Sequence, residues 1–132
     1  MGRLANPVKK ETNSIKSDKL DKFDLEVISA LRELEIPPHV KGYELIKIAM
    51  RCLHRDRDLI YSMTKGLYPA VGEIFGDDEP SHIERGIRHA LNLSRADKAA
   101  QRRVLGRTGH ISNSEFLATL YEVISVKMAG VA

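Results

Sequence analysis

From Phe23 onward the apolar residues recur at intervals of three and four, and alternation never persists for more than a few positions. That spacing puts side chains on one stripe of an α-helix, and no stretch keeps the period of two that a half-buried strand requires. The chain is therefore expected to be all-α. Phe23, Val27, Ile28, Leu31 and Leu34 predict a first helix that stops before Pro37-Pro38. Val40, Tyr43, Ile46, Ala49, Met50 and Leu53 mark a second, with Pro38 placed near its first turn. Leu59, Ile60, Met63 and Leu67 suggest a third. Pro69 opens a fresh start through Val71, Ile74 and Phe75, broken at Gly76-Asp77-Asp78. A helix over Ser81–Leu93, a polar one over Ala96–Leu105 and a last one over Asn113–Met128 complete the set, with Ser112 and Glu115 spaced as a capping box. Residues 1–20 are polar and lysine-rich without periodicity and read as a linker or tail, leaving 21–132 as one helical domain.

The totals narrow the possibilities. At 132 residues one hydrophobic core can form without staples. Aromatic residues are 5% of the chain and Trp is absent, so aliphatic side chains must fill that core. A lone cysteine, Cys52, allows no internal disulfide and reads as a core residue. No run reaches the length of a membrane span and the N-terminus lacks the apolar centre of a secretory signal, so the expected location is the cytoplasm, without membrane attachment. The five histidines include no i, i+4 pair, and no phosphate-binding glycine loop or nucleophile elbow is present. An enzyme is not expected, nor a metal or other cofactor.

Charge is distributed unevenly. The net charge of +3 is modest, but Ser81–His110 carries seven lysines and arginines against two acids. A positive field confined to one stretch suits a polyanionic partner. The same stretch begins inside the segment Leu67–Leu93, a short helix, a glycine-containing turn and a longer helix: the layout of a helix-turn-helix. Gly76 sits where the turn needs a positive φ, and Gly72, one turn earlier, leaves room where the second helix must come close. At about 100° per residue, Ile83, Ile87, Ala90 and Leu91 form one face of that second helix. Ser81, Arg85, Arg88 and Asn92 lie opposite, with His89 beside them. Arginine can pair with guanine and asparagine with adenine in the major groove. The helix therefore reads as a DNA-recognition helix. Glu84, set among arginines, fits an orienting ion pair or an acceptor for cytosine.

Four stretches carry a family resemblance: HVKGY (His39–Tyr43), TKGLYPAVGEIF (Thr64–Phe75), SHIERGIRHAL (Ser81–Leu91) and NSEF (Asn113–Phe116). In this order they resemble the DNA-binding effector domain of the stage-zero master response regulator of sporulation in spore-forming Firmicutes, over roughly Pro37 to Met128. The resemblance implies six helices around a central helix-turn-helix, without a wing, that bind double-stranded DNA at a short repeated box and activate or repress transcription. It implies that Glu84, Arg85 and Arg88, with Ser81 and His82, form the reading surface. It further implies that Ala96–Leu105 faces RNA polymerase through its sigma subunit, and that copies associate in tandem on DNA. Three departures stand out. His82 replaces the arginine usual in the family, Gly86 replaces alanine, and the connection from Arg95 to Ser112 is shorter. The histidine weakens a contact or makes it pH-dependent, and the glycine loosens the recognition helix. No receiver domain precedes residue 20, so the chain is expected to be an excised domain or a stand-alone relative without phosphorylation control.

Two other functions fit the same residues. One is a protein-interaction module that keeps the fold without reading DNA. The other is non-specific nucleic-acid binding through Arg95–Arg107, with steep salt dependence and no sequence preference.

Overall fold

In the computed structural model, which describes residues 19–130, the first helix starts where Asp21 caps it. The Asp21 carboxylate accepts from the Asp24 N–H at 2.9 Å and Asp24 reciprocates at the Asp21 N–H at 3.1 Å, satisfying two donors that a helix start leaves open. This helix, α1 (Lys22–Glu33), buries Phe23, Val27 and Leu31 and ends before Glu35, whose φ of 53° turns the chain toward the two prolines. The expected tail lies, apart from Lys19 and Leu20, outside the described residues.

Helix α2 spans Lys41–Arg55. It begins later than the sequence suggested: Pro38 lies in the turn ahead of it, and Val40, with extended backbone, is its N-cap. Leu45, Ile46, Ile48, Ala49, Met50, Cys52 and Leu53 are all buried, so α2 is apolar on most of its circumference and runs through the middle of the molecule. Each large aliphatic side chain so buried contributes roughly 1.5–3 kcal/mol of transfer free energy.

The expected third helix is not continuous. Asp56 caps a 3₁₀ turn over Arg57–Tyr61 by accepting from the Asp58 N–H. A π-helical turn over Met63–Leu67 follows, in which the Ser62 carbonyl accepts from both Gly66 and Leu67 at 2.9 Å. That turn runs directly into α3 (Tyr68–Phe75), with Pro69 in its first turn as expected. Next come α4 (Pro80–Asn92), α5 (Lys98–Leu105) and α6 (Asn113–Met128). The α5 start lies two residues past the predicted Ala96, because the Asp97 side chain caps it at the Ala100 N–H. Ser112 and Glu115 form the predicted capping box of α6. The fold is all-α, with six α-helices and no strand among the described residues.

The core is one cluster, mostly aliphatic but including Phe23, Tyr68 and Phe116, drawn from every helix but closed mainly on α2. Met50 is fully buried in it, while Met63 and Met128 pack against its edge. The closest approach is between α2 and α4. A Cβ added to Gly42 would lie 2.1 Å from the Gly86 carbonyl oxygen and 2.6 Å from the Ala90 Cβ. One added to Gly86 would lie 2.6 Å from Leu45 Cδ1. Two glycines therefore let the α2 and α4 backbones nearly touch. Gly86, expected to loosen α4, instead seats it.

Candidate nucleic-acid interface

Helix α4 is presented by the turn that precedes it. Gly76 closes α3 with φ 97° and donates to the Gly72 carbonyl at 2.7 Å; Asp77 donates to the same oxygen at 2.9 Å. A Cβ at Gly72 would come 2.1 Å from the Asp77 carbonyl oxygen but 3.7 Å from Ile83 Cγ1. The tight neighbour of Gly72 is thus the turn rather than the second helix. The Asp77 carboxylate accepts from the Glu79 N–H at 3.0 Å and sits 3.1–3.2 Å from the His82 Nδ1. These contacts, the Glu79 bond foremost, and the positive charge of Lys41 hold its carboxyl below the ordinary value of 3.8. Glu79 is the N-cap of α4 without a side-chain bond and Pro80 follows it, so the first turn is closed by the backbone alone, the Glu79 carbonyl accepting from the His82 N–H at 2.9 Å.

The body of α4 divides as its periodicity implied. Ile83, Ile87 and Ala90 are fully buried and Leu91 is partly so. Ser81, His82, Glu84, Arg85, His89 and Asn92 are exposed on the other side, and Arg88 is half-buried. All seven predicted site residues thus lie on one helix, but in different situations. Arg85 has no hydrogen bond or ion pair among the described residues. The Glu84 carboxylate makes no ion pair with Arg85 or Arg88, so the anticipated orienting bridge is not formed among the described residues. His82 is engaged with Asp77. Arg88 is tied down: its Nη1 donates to the Ile111 carbonyl at 2.8 Å and its Nε to the Asn92 Oδ1 at 3.2 Å.

That tether brings in the connection between α5 and α6, of which the sequence pattern singled out only Arg107, at the end of the basic stretch Arg95–Arg107, and Ser112, in the capping box. Between α5 and α6 the chain passes alongside α4. The buried Asn113 side chain donates to the Glu84 carbonyl at 2.8 Å, one turn from the Arg88 bond. The string NSEF held Asn113 in view, but its partner lies 29 residues away and no local rule connects them.

Among the described residues nothing else gathers into a metal or nucleophile site. No group of three or more His, Cys, Asp or Glu side chains among the described residues could hold a metal ion, and no described helix is long and apolar enough to cross a membrane. Cys52 is buried, and burial pushes its thiol up to about 11, so it is protonated and unreactive near neutrality. His54 stacks on Phe23 with ring centroids 4.0 Å apart, which accounts for it without a ligand role.

A family model described as the sporulation initiation factor Spo0A C-terminal domain matches residues 27–124, from within α1 to the last turns of α6. The match covers the helix-turn-helix, the α2–α4 crossing and the connection beside α4. The chain belongs to the Spo0A C-terminal domain family, whose members are DNA-binding effector domains of a transcription regulator and not enzymes.

Proposed function

We propose that this chain is a sequence-specific transcription regulator that reads the major groove of double-stranded DNA with α4. The observation that carries the reading is the division of that helix. Its inner face is locked against α2 at backbone distance, while its outer face offers Arg85 with no partner among the described residues, flanked by Ser81, Glu84, His89 and Asn92. A rigid helix with unpaired donors on one side suits base edges, which demand placement within a few tenths of an ångström. In the first turn of α4 the His82 and Ile83 N–H groups are taken by the Glu79 carbonyl and Pro80 has none, which leaves the Ser81 N–H as a backbone donor of the kind that meets a DNA phosphate. The cations of residues 81–110 supply the sequence-independent attraction.

On this reading Arg85 takes guanine, and Glu84 accepts from cytosine. Asn92 and Arg88 hold each other in the free protein and must separate if either is to pair with a base. Helix α5, with Lys98 and Arg102 exposed, is the surface left for the RNA polymerase sigma subunit, and tandem copies follow from a repeated box.

Fluorescence anisotropy tests the reading with a labelled duplex carrying the family's box and a scrambled duplex of the same composition, across a salt series. A preference of at least about tenfold for the box, equal to about 1.4 kcal/mol, that survives moderate salt is the expected result. Equal, salt-sensitive binding to both would reduce the function to a basic surface. Binding to neither would leave the fold as a protein-interaction module.

A further inference from the structure

The connection between α5 and α6 is held against α4 in an unusually determinate way. Arg88 grips the Ile111 carbonyl, and Asn113 grips the Glu84 carbonyl one helical turn away. Arg88 and Glu84 flank the outer face that carries Arg85, so residues 111–113 run along one edge of that face. The preceding loop is fixed from within. Arg107 Nη2 donates to the His110 carbonyl at 3.1 Å, and the Gly109 N–H donates to the Gln101 Oε1 at 3.1 Å. Gln101 in turn donates to the Ala96 carbonyl at 3.1 Å. Arg107 and His110 themselves remain exposed.

Charge points the same way. From Lys98 to Ser114 the sequence holds four cations (Lys98, Arg102, Arg103, Arg107) and no acid. Arg103 is taken by Glu33 at 2.8 Å, on the α1 side. Arg107 spends its Nη2 on the His110 carbonyl and has only a loose anionic partner: its Nη1 lies 3.7 Å from the Glu115 carboxylate, with both side chains about half exposed (42% and 57%). Glu115 is itself occupied by the Ser112 N–H, in the capping box. An exposed pair at that separation is worth little and yields readily to a stronger anion.

We infer that the Gly106–Ser112 connection is a second DNA-contacting element, in which Arg107, with His110 beside it, takes a backbone phosphate at the edge of the groove that α4 enters. Arg88 is then a positioning residue, holding the connection at the height of the reading helix. The inference rests on the α4 reading and adds to it a sequence-independent contact. Segments flanking a reading helix commonly meet the sugar–phosphate backbone in this way, fixing register without reading sequence. The phosphate displaces Glu115 from Arg107, while the capping box leaves Glu115 bonded to Ser112.

The test is anisotropy on the whole chain with the box duplex and the scrambled duplex, for the wild type and three variants, with helicity checked by circular dichroism. Arg107→Ala should weaken binding to both duplexes by the same factor and reduce the slope of log affinity against log salt by about one. Glu115→Gln keeps the capping box, which accepts Gln as well as Glu, and should tighten binding to both by freeing Arg107. Arg85→Ala should weaken the box duplex alone. An unchanged salt slope in Arg107→Ala, together with unchanged affinity in Glu115→Gln, overturns the inference and leaves the α4 reading standing. An Arg107→Ala loss confined to the box overturns it as well, since that is base readout. If the wild type binds neither duplex, the α4 reading fails and the inference falls with it.

Discussion

The two faces of α4 are built on opposite terms. On the inner face Gly42 and Gly86 leave no space between two backbones, and Ile83, Ile87 and Ala90 are fully buried. On the outer face Arg85 has no partner among the described residues and Ser81, Glu84 and His89 stand in solvent. The inner face fixes where the helix lies and tolerates almost no change of volume; the outer face chooses what the helix meets and tolerates substitution freely. A domain can change its DNA site on the outer face only because the inner face holds the helix still.

The largest effect should come from the inner face. Gly42→Ala places a methyl 2.1 Å from the Gly86 carbonyl oxygen, a backbone atom that cannot swing aside. Alanine gains about 1 kcal/mol of helix propensity over glycine, but overpacking against backbone costs about 1–3 kcal/mol and sometimes more. Urea denaturation should give a net loss of stability of about 1–2 kcal/mol, toward the upper end of that balance because the obstacle is backbone. Unchanged stability would mean that α2 and α4 do not approach at this crossing, and the contrast between the faces would collapse.

The outer face should respond in affinity without stability. Arg85→Ala is expected to change unfolding free energy by less than about 0.5 kcal/mol, while weakening binding to the box by about 1–3 kcal/mol. Arg88→Ala tests the border between the faces. It removes a charged hydrogen bond to the Ile111 carbonyl, so it should cost about 1–2 kcal/mol of stability as well as affinity. If Arg88→Ala behaves like Arg85→Ala in urea, the tether does not hold the connection to α4.

These contrasts separate what local sequence encodes from what packing decides. The capping box at Ser112 and Glu115, the turn at Gly76 and the apolar stripe of α4 are written within a few residues of each other and were readable. The Asp21–Asp24 box follows the same logic, and its signal, an aspartate three residues ahead of another before an apolar repeat, was there to be read. The π-helical turn at Met63–Leu67 was not, because its apolar spacing is that of an ordinary helix and only the shared Ser62 carbonyl distinguishes it. The Gly42–Gly86 crossing and the Arg88–Ile111 bond join residues far apart in the chain. In the candidate site the exposed residue types were legible, whereas the pairing of Arg88 with Asn92 and of His82 with Asp77 depended on rotamers that no periodicity reports.

Gly86→Ala should act more weakly than Gly42→Ala, since the obstacle is a side-chain end. Its Cβ would lie 2.6 Å from Leu45 Cδ1, and Leu45 can shift where a carbonyl cannot. The propensity gain of about 1 kcal/mol offsets part of the overpacking, leaving an expected loss of about 1 kcal/mol or less. Adding Leu45→Val to Gly86→Ala sharpens the point: if the clash is with Leu45, the double variant should be more stable than the two single losses predict.

The smallest effect belongs to the turn that joins the faces, and it is a matter of pH. The Glu79 N–H, His82 and Lys41 lower the Asp77 carboxyl below its ordinary value of 3.8. Glu115 is lowered below 4.5 by the Ser112 N–H and hydroxyl, with Arg107 and His110 adding to it. A carboxyl held low in the folded state contributes stability that is fully present above its unfolded pKa and is lost as pH falls through the folded one. Both groups therefore make the protein less stable on acidification below about pH 4.5, with the same sign. Asn at position 77 can still accept the Glu79 N–H but has no charge to offer His82 or Lys41. Asp77→Asn should thus melt slightly below the wild type at pH 6, and the gap should narrow as pH falls below 3.8, closing as pH passes through the lowered Asp77 value and the charge is lost from both proteins. Because the half-buried Asp77 carboxylate still reaches solvent, the difference should be near the resolution of a thermal melt. A gap that stays constant down to pH 3 would assign the Asp77 contribution to geometry alone, making the turn another part of the rigid inner scaffold rather than a charged hinge between the two faces.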